Sequence, residues 1–149
     1  MRILLSILLL LNAAAPAEAS ARDEIPGPVE GEILRVIDGD TLLVEARPWP
    51  QQKVEVYVRI RGIDTPETRS KCTGERQAGE AARRALEILA EEAGATVRLS
   101  RISGDKYFGR VVADVTLSGD IQAADHLLLA GLASPYDGGR KQKRPCAVP

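Results

Sequence analysis

The stretch KVEVYVRIRGIDTPET, residues 53–68, alternates apolar and polar residues and then ends in a group of acidic and hydroxyl side chains. Valine or isoleucine occupies every second position up to Ile60, which is the two-residue period of a β-strand with one buried face. Pro66 then restricts the backbone directly before Glu67. The stretch therefore predicts a strand whose end holds Asp64 and Glu67 at a defined offset from each other.

The segments on either side of this strand predict further strands and helices, which together suit a small barrel. Before it, GEILRVIDGDTLLVEA at 31–46 contains two β-rich runs around Asp38-Gly39, which is a strong hairpin signal. Three strands, a helix, two strands and a second helix suit a small closed barrel, of which the oligonucleotide-binding (OB) fold is the common case. We thus expect an α+β, mainly β fold: a five-stranded OB-fold barrel with an inserted and a C-terminal helix. After residue 68, the expected helix, two strands and second helix cover about 74–93, 96–102, 110–117 and 121–130.

The first nineteen residues have the pattern of a secretory signal peptide. Arg2 precedes an apolar run that is short for crossing a bilayer, and the segment ends in the small-x-small motif Ala17-Glu18-Ala19. An uncleaved membrane anchor is the alternative. We expect a periplasmic or secreted protein without a membrane segment in its mature form, with a flexible lead-in over 20–30 and one domain over 31–149.

The mature chain contains two cysteines, Cys72 and Cys146. An oxidising compartment favours a disulfide between them, and two cysteines with a single histidine make a poor zinc site. The bridge would close a long loop and stabilise the protein by about 4 kcal/mol in the chain-entropy model. We predict this disulfide, and two free thiols are the alternative.

The formal net charge of −1 excludes a uniformly basic nucleic-acid-binding protein. Charge is nevertheless segregated, because 22–40 is acid-rich whereas RKQKR at 140–144 is basic. This basic run suits either contact with a phosphate backbone or a solvated tail. We therefore expect local cationic surface without a global steering field. Further basic residues are Arg98, Arg101, Lys106 and Arg110.

Two aspartates lie at predicted strand ends, Asp40 in the first hairpin and Asp64 after the third strand. If these strands are neighbours in the barrel, their ends bring the two carboxylates together. Adjacent carboxylates repel each other unless a cation neutralises them, and oxygen ligands suit Ca²⁺ or Mg²⁺. On these residues alone, ordinary turn aspartates are the simpler interpretation, since aspartate is common in turns.

Arg59 and Arg61 share one face of the same strand, close in sequence to Asp64. A guanidinium beside a cation site suits a phosphate diester, because its planar fork binds a phosphate oxygen. Strict alternation puts Asp64 on the opposite face, and a bulge at Gly62 would return it to the arginines. An exposed barrel side chain is the alternative for either arginine. Glu67 is placed to accept a proton from a water that attacks the phosphate.

Four motifs in this order resemble the staphylococcal nuclease (thermonuclease) family: VIDGDT, VRIRGIDTPET, DKYFGR and GLASPYDGG. The similarity extends from about Gly31 to Asp137, which is most of the mature chain. It implies a five-stranded barrel with helices and a calcium-dependent phosphodiesterase activity on DNA and RNA. The chain departs from the family at Phe108, which adds a residue to the usual DKYGR turn.

By position, the resemblance implies that Asp40 and Asp64 are the metal carboxylates and that the backbone carbonyl of Thr65 is a further ligand. It implies that Glu67 is the general base. The residues implied to bind the phosphate or the nucleotide are Arg59, Arg110, Tyr107 and Tyr136, and Lys106 and Arg61 are further candidates for substrate contact.

Together, these features predict an exported, monomeric endonuclease that hydrolyses phosphodiester bonds in DNA and RNA with Ca²⁺ or another divalent ion. One alternative is a catalytically silent OB-fold domain that binds nucleic acid, since the fold hosts many binding proteins. Another is a structural module stabilised by calcium, although such a module does not need paired arginines beside the ion.

Overall fold

The computed structural model describes residues 23–141 and residue 146. The predicted signal peptide, the first residues of the lead-in and most of the basic run at 140–144 lie outside the described residues. Within the described part of the chain, no helix is long and apolar enough to cross a membrane. In chain order the elements are β1 (Glu24–Ile25), β2 (Val29–Asp38), β3 (Thr41–Arg47), β4 (Val54–Ile60), β5 (Ile63–Asp64), α1 (Thr73–Glu92), β6 (Thr96–Gly104), β7 (Arg110–Leu117), β8 (Ile121–Gln122), α2 (Ala123–Leu129) and β9 (Ser134–Pro135).

Five long strands close into a barrel, which confirms the predicted OB fold. β2 pairs antiparallel with β3, and β3 pairs antiparallel with β4. β4 pairs parallel with β7, and β6 pairs antiparallel with both β7 and β2, which closes the circle. The short strands β1 and β8 extend this sheet, whereas β5 and β9 form a separate two-stranded pair.

The barrel core follows from the alternation that the sequence contains. In β4, Val56 is half-buried and Val58 and Ile60 are fully buried, so the strand ends with its apolar face inside the barrel. Leu42 and Val44 of β3 are fully buried opposite them. Burial of each such side chain stabilises the fold by about 1.5–3 kcal/mol. This burial fixes the register of the strands, and the register fixes where their ends lie.

α1 packs on the outside of the barrel and supports the loop that follows β5. Its buried stripe includes Gly79 and Ala82, whereas Ala78 is exposed. A Cβ atom at Gly79 would lie 2.6 Å from the carbonyl oxygen of Pro66. The helix backbone therefore lies directly against this loop, and a side chain at position 79 would meet the loop backbone.

The chain after α2 returns to the end of β4. β9 pairs with β5, with Asp64 opposite Ser134, and the Tyr136 amide donates a hydrogen bond of 2.9 Å to the Gly62 carbonyl. Cys146 forms the predicted disulfide with Cys72, with a Cα–Cα distance of 5.6 Å. The strand pairing and the hydrogen bond bring Ser134 and Tyr136 beside the predicted site.

Candidate active site

An open cavity of about 1010 Å³ lies where the β2–β3 turn, the end of β4 and the β6–β7 loop meet. All of the predicted catalytic, metal and substrate residues line it except Asp64. Asp64 lines a smaller cavity of about 580 Å³ that shares Gly62 and Tyr136 with the first. The structure therefore brings together residues that lie up to about a hundred positions apart in the sequence.

Asp40 occupies the two-residue turn between β2 and β3, and its side chain is buried. The Thr41 hydroxyl donates a hydrogen bond of 2.9 Å to its Oδ1, and the Thr65 amide donates one of 3.1 Å to its Oδ2. At Gly39 an added Cβ would lie 2.6 Å from Cβ of Ala82, so only glycine lets the turn approach α1 this closely. The turn and the loop after β5 thus hold one carboxylate between them.

Arg59 joins the two predicted metal carboxylates. Its Nη1 lies 3.0 Å from Asp40 Oδ2, and its Nη2 lies 3.0 Å from Asp64 Oδ1. Burial lowers the pKa of Arg59, but the attraction of Asp40 and the hydrogen bond to Asp64 outweigh burial and raise the pKa overall. Two acidic groups are thereby held side by side by one positive charge.

Gly62 explains how Asp64 reaches the same side as Arg59. Its φ is +85°, in the left-handed region that favours glycine, and β5 begins one residue later. This turn resets the alternation between β4 and β5, as the sequence pattern required.

The side chain of Arg61 contacts the barrel itself. Its Nη2 donates to the Arg101 carbonyl (2.5 Å), the Ser103 hydroxyl (2.9 Å) and the Val112 carbonyl (3.2 Å). Its Nε lies 3.7 Å from an Asp114 carboxylate oxygen. The guanidinium thus ties the end of β4 to β6 and β7, so Arg61 is not the freely exposed barrel side chain that the sequence left open.

Glu67 lies at the edge of the cavity with its side chain 57% exposed, and Lys141 contacts it. Lys141 Nζ lies 2.7 Å from Glu67 Oε1 and 2.8 Å from Asp64 Oδ1. Burial lowers the pKa of Lys141, but hydrogen bonds to Asp64 and Glu67 raise it overall. The sequence pattern marked Lys141 only as part of a basic tail. The signal that points to it is Cys146, five residues later, which the disulfide anchors beside α1.

The β6–β7 loop supplies the remaining cations. Arg110 Nε lies 2.5 Å from Asp105 Oδ2, and among the described residues its guanidinium makes no other hydrogen bond. Its Cζ lies 4.6 Å from the ring centre of Tyr107, and Lys106 Nζ lies 5.0 Å from the same centre. Although Phe108 lengthens this loop, Arg110 lines the same cavity as Arg59.

Tyr136 completes the wall near the carboxylates. Its ring centre lies 5.4 Å from Cζ of Arg59, and its hydroxyl donates a hydrogen bond of 2.8 Å to the Gly139 carbonyl. The ring therefore covers one face of the guanidinium that joins Asp40 and Asp64.

The available ligand atoms suit a hard divalent ion. Asp40, Asp64 and the Thr65 carbonyl offer only oxygen, which Ca²⁺ and Mg²⁺ prefer. Among the described residues, no group of three or more histidine, cysteine, aspartate or glutamate side chains is arranged to hold a metal. A metal would therefore need carbonyl and water oxygens in addition to two carboxylates, which is common for such ions. Arg59 and Lys141 supply positive charge at these same carboxylates.

A family model described as "Staphylococcal nuclease homologue" matches residues 57–146, more than half of the chain. This range contains the end of β4, the loop with Glu67, the β6–β7 loop and both cysteines, whereas Asp40 precedes it. No match was found among curated proteins. The closed five-stranded barrel is consistent with the fold of this family, and the match covers more than half of the chain. The chain therefore belongs to the staphylococcal nuclease homologue family.

Proposed function

We propose that this protein is an exported, metal-dependent endonuclease that hydrolyses phosphodiester bonds in DNA and RNA, with Ca²⁺ as its ion. The observation that carries the proposal is the bridge from Arg59 to Asp40 and Asp64, in a cavity that Glu67 and Arg110 also line. Burying charged groups costs several kcal/mol per ion unless they are paired. A buried bridge of one arginine and two aspartates would add little to the stability of the barrel, so stability alone does not explain it.

Phosphate binding is assigned to Arg59 and Arg110. Asp105 engages Arg110 through Nε, which orients the guanidinium and leaves its two terminal nitrogens available for a planar contact with phosphate oxygens. Such donors stabilise the charge that develops on the phosphoryl group, and one of them is worth roughly 10²–10³ in rate at comparable sites.

Proton transfer is assigned to Glu67. Its exposed carboxylate accepts a proton from a water molecule as the water oxygen forms a new bond to phosphorus and a bridging P–O bond breaks. When bound by Asp40, Asp64 and the Thr65 carbonyl, the ion would neutralise charge on a phosphoryl oxygen as a Lewis acid. Lys141 holds the Glu67 carboxylate at the cavity edge.

The two rival functions account for fewer of these residues. A catalytically silent binding domain needs the cations and tyrosines, but has no use for Asp40 buried beside Arg59. A calcium-stabilised structural module accounts for the acidic pair, but has no use for Arg110 and Tyr107 in the same cavity.

The test is incubation of the purified mature domain with plasmid DNA and with RNA, across several divalent ions and a chelator. We expect Ca²⁺ to support nicking and degradation, and excess EGTA to abolish both. Undiminished cleavage in EGTA would contradict the metal role. Tight binding without cleavage under any ion would favour the silent binding domain.

A further inference from the structure

Phe108, at the tip of the β6–β7 loop, has a side chain that is fully exposed. Loop tips are ordinarily glycine, asparagine, aspartate, serine or proline, because these residues suit tight turns and water. The Phe108 side chain is therefore not required for the stability of the barrel. It is an apolar ring presented to solvent beside a cavity lined by charged groups.

The loop that carries this ring is closed by hydrogen bonds. The Asp105 carboxylate accepts hydrogen bonds from the Lys106 amide (2.6 Å) and from Arg110 Nε (2.5 Å). The Asp105 amide donates to the Arg110 carbonyl (3.1 Å), and the Arg110 amide donates to the Tyr107 carbonyl (3.2 Å). These bonds close the loop on itself and hold the backbone on either side of Phe108 at the loop tip.

The surroundings of Phe108 indicate what covers it. Lys106 and Arg110 lie on the ring of the neighbouring Tyr107, and all three line the cavity. An aromatic ring next to cations is the combination by which proteins bind single-stranded nucleic acid: bases stack on the ring and phosphates follow the cations. A docking site for an apolar protein surface would not place two cations and a cavity beside the ring.

We propose that Phe108 is a base-stacking residue, on which an unpaired base of a nucleic-acid strand stacks while its phosphates lie along Lys106 and Arg110. The inference rests on the proposed function, since it requires a nucleic-acid strand in the cavity. A base within a duplex already has both faces stacked, whereas a base in a single strand is free to stack on a side chain. Phe108 therefore gives the protein a preference for single-stranded over duplex substrates.

The test is fluorescence anisotropy of the mature protein with a labelled single-stranded oligonucleotide and with the matching duplex, in EDTA and low salt, so that no cleavage occurs. Phe108→Ala should weaken single-strand binding by about 5- to 150-fold, which corresponds to about 1–3 kcal/mol for one stacked base. Duplex binding should change much less.

Phe108→Trp should restore the affinity for the single strand. In a Trp49→Phe background, the fluorescence of the tryptophan at position 108 should be quenched by the oligonucleotide.

Trp49→Ala is the matched control, because Trp49 is another exposed aromatic residue but lies in the loop between β3 and β4, of which no residue lines the cavity, whereas Lys106, Tyr107 and Arg110 beside Phe108 do. Unchanged single-strand binding by Phe108→Ala, or an equal loss in Trp49→Ala, would overturn the inference. Loss of binding to anionic lipid vesicles in Phe108→Ala, with oligonucleotide binding intact, would reassign the ring to a membrane and also overturn it.

Plasmid cleavage in Ca²⁺, measured separately, distinguishes this inference from the proposed function. Cleavage by the wild-type protein with unaltered binding by Phe108→Ala would overturn only the stacking role. Absence of cleavage with the Phe108 effect intact would overturn only the nuclease.

Discussion

Arg59 lies in β4 and Arg61 directly follows that strand, and the two carry the same charge and line the same cavity, yet their contacts differ. Arg59 binds the acidic pair, whereas Arg61 binds backbone carbonyls of the barrel. The alternation of the strand predicts that the two share a face, but not what each meets there. The partners of Arg61 lie on β6 and β7, about forty to fifty residues later in the chain.

This difference predicts that substitution of Arg59 mainly lowers the catalytic rate, whereas substitution of Arg61 mainly lowers the stability. Arg59→Ala should lower kcat by roughly 10²–10³, because it removes a donor to the phosphate. Arg61→Ala should keep kcat within about tenfold of wild type, but lower the free energy of unfolding by about 1–3 kcal/mol, because it leaves barrel carbonyls without a donor. Cleavage rates well below the melting temperature and urea denaturation measure the two effects. Equal rate losses in both variants would show that only net charge matters.

The contacts of Lys141 predict that its substitution changes the affinity for Ca²⁺. Its ammonium lies on Asp64, a proposed metal ligand, so it opposes the binding of a divalent cation there. Lys141→Gln should raise the Ca²⁺ affinity measured by calorimetry by about 2- to 5-fold, as expected for a partly exposed ion pair. Arg140→Gln is the control, because Arg140 makes no ion pair with another described residue and should leave the affinity unchanged. Weaker Ca²⁺ binding by Lys141→Gln would contradict the competition.

At the scale of elements, the close approach of α1 to the loop after β5 predicts an unusual effect of a helix substitution. Alanine normally stabilises a helix by about 0.5–1 kcal/mol relative to glycine. At Gly79 the new Cβ would lie 2.6 Å from the Pro66 carbonyl oxygen and 2.9 Å from the Thr68 amide nitrogen. Because these atoms are backbone, we expect Gly79→Ala to destabilise the protein by about 1–3 kcal/mol.

Urea denaturation of Gly79→Ala beside Gly104→Ala measures this effect. A Cβ at Gly104 meets no atom within 4 Å, so its substitution should change stability by no more than about 0.5 kcal/mol. If Gly79→Ala stabilised the protein, the helix would not support the loop in the way described.

The long elements were predictable from the sequence, because each contains enough residues for a period to be visible. The barrel strands and both helices lie where alternation and helical spacing indicate. The two-residue strands β1, β5, β8 and β9 were not predicted, because two residues have no period. Helical spacing also puts Ala78 on the same face as Ala82, yet Ala78 is exposed and Gly79 is buried, because glycine has no apolar side chain to reveal that its backbone lies against the loop.

At the scale of the whole molecule, the disulfide connects the start of α1 to the C-terminal residues across 74 positions. Closing such a loop restricts the unfolded chain and typically contributes about 2–4 kcal/mol. We therefore expect reduction to lower the melting temperature of the wild-type protein but not of a Cys72→Ser/Cys146→Ser double variant. Mass spectrometry of alkylated, unreduced protein checks the bridge, and two labelled thiols in exported material would refute it.

The net charge of the chain gives little indication of its site. A value of −1 excludes a strongly basic protein, but Arg59, Arg110, Lys106 and Lys141 line one cavity. Turns and strand ends locate Asp40, Asp64 and Arg59 in the sequence, and the structure places Arg59 in contact with both aspartates, but only the family resemblance assigned them a role. The contacts of Lys141 were not predicted, because it follows α2 and β9 in a part of the sequence that has no period to place it.

The central claim is that this cavity hydrolyses phosphodiester bonds, and cleavage of supercoiled plasmid in Ca²⁺ by wild type and by Glu67→Gln, purified in parallel, tests it most directly. Glu67 is exposed, so the substitution keeps the shape of the side chain and removes the proton acceptor without disturbing the core. We expect kcat to fall by about 10²-fold or more while binding of a non-cleavable oligonucleotide changes little. Cleavage by Glu67→Gln at the wild-type rate would contradict the account.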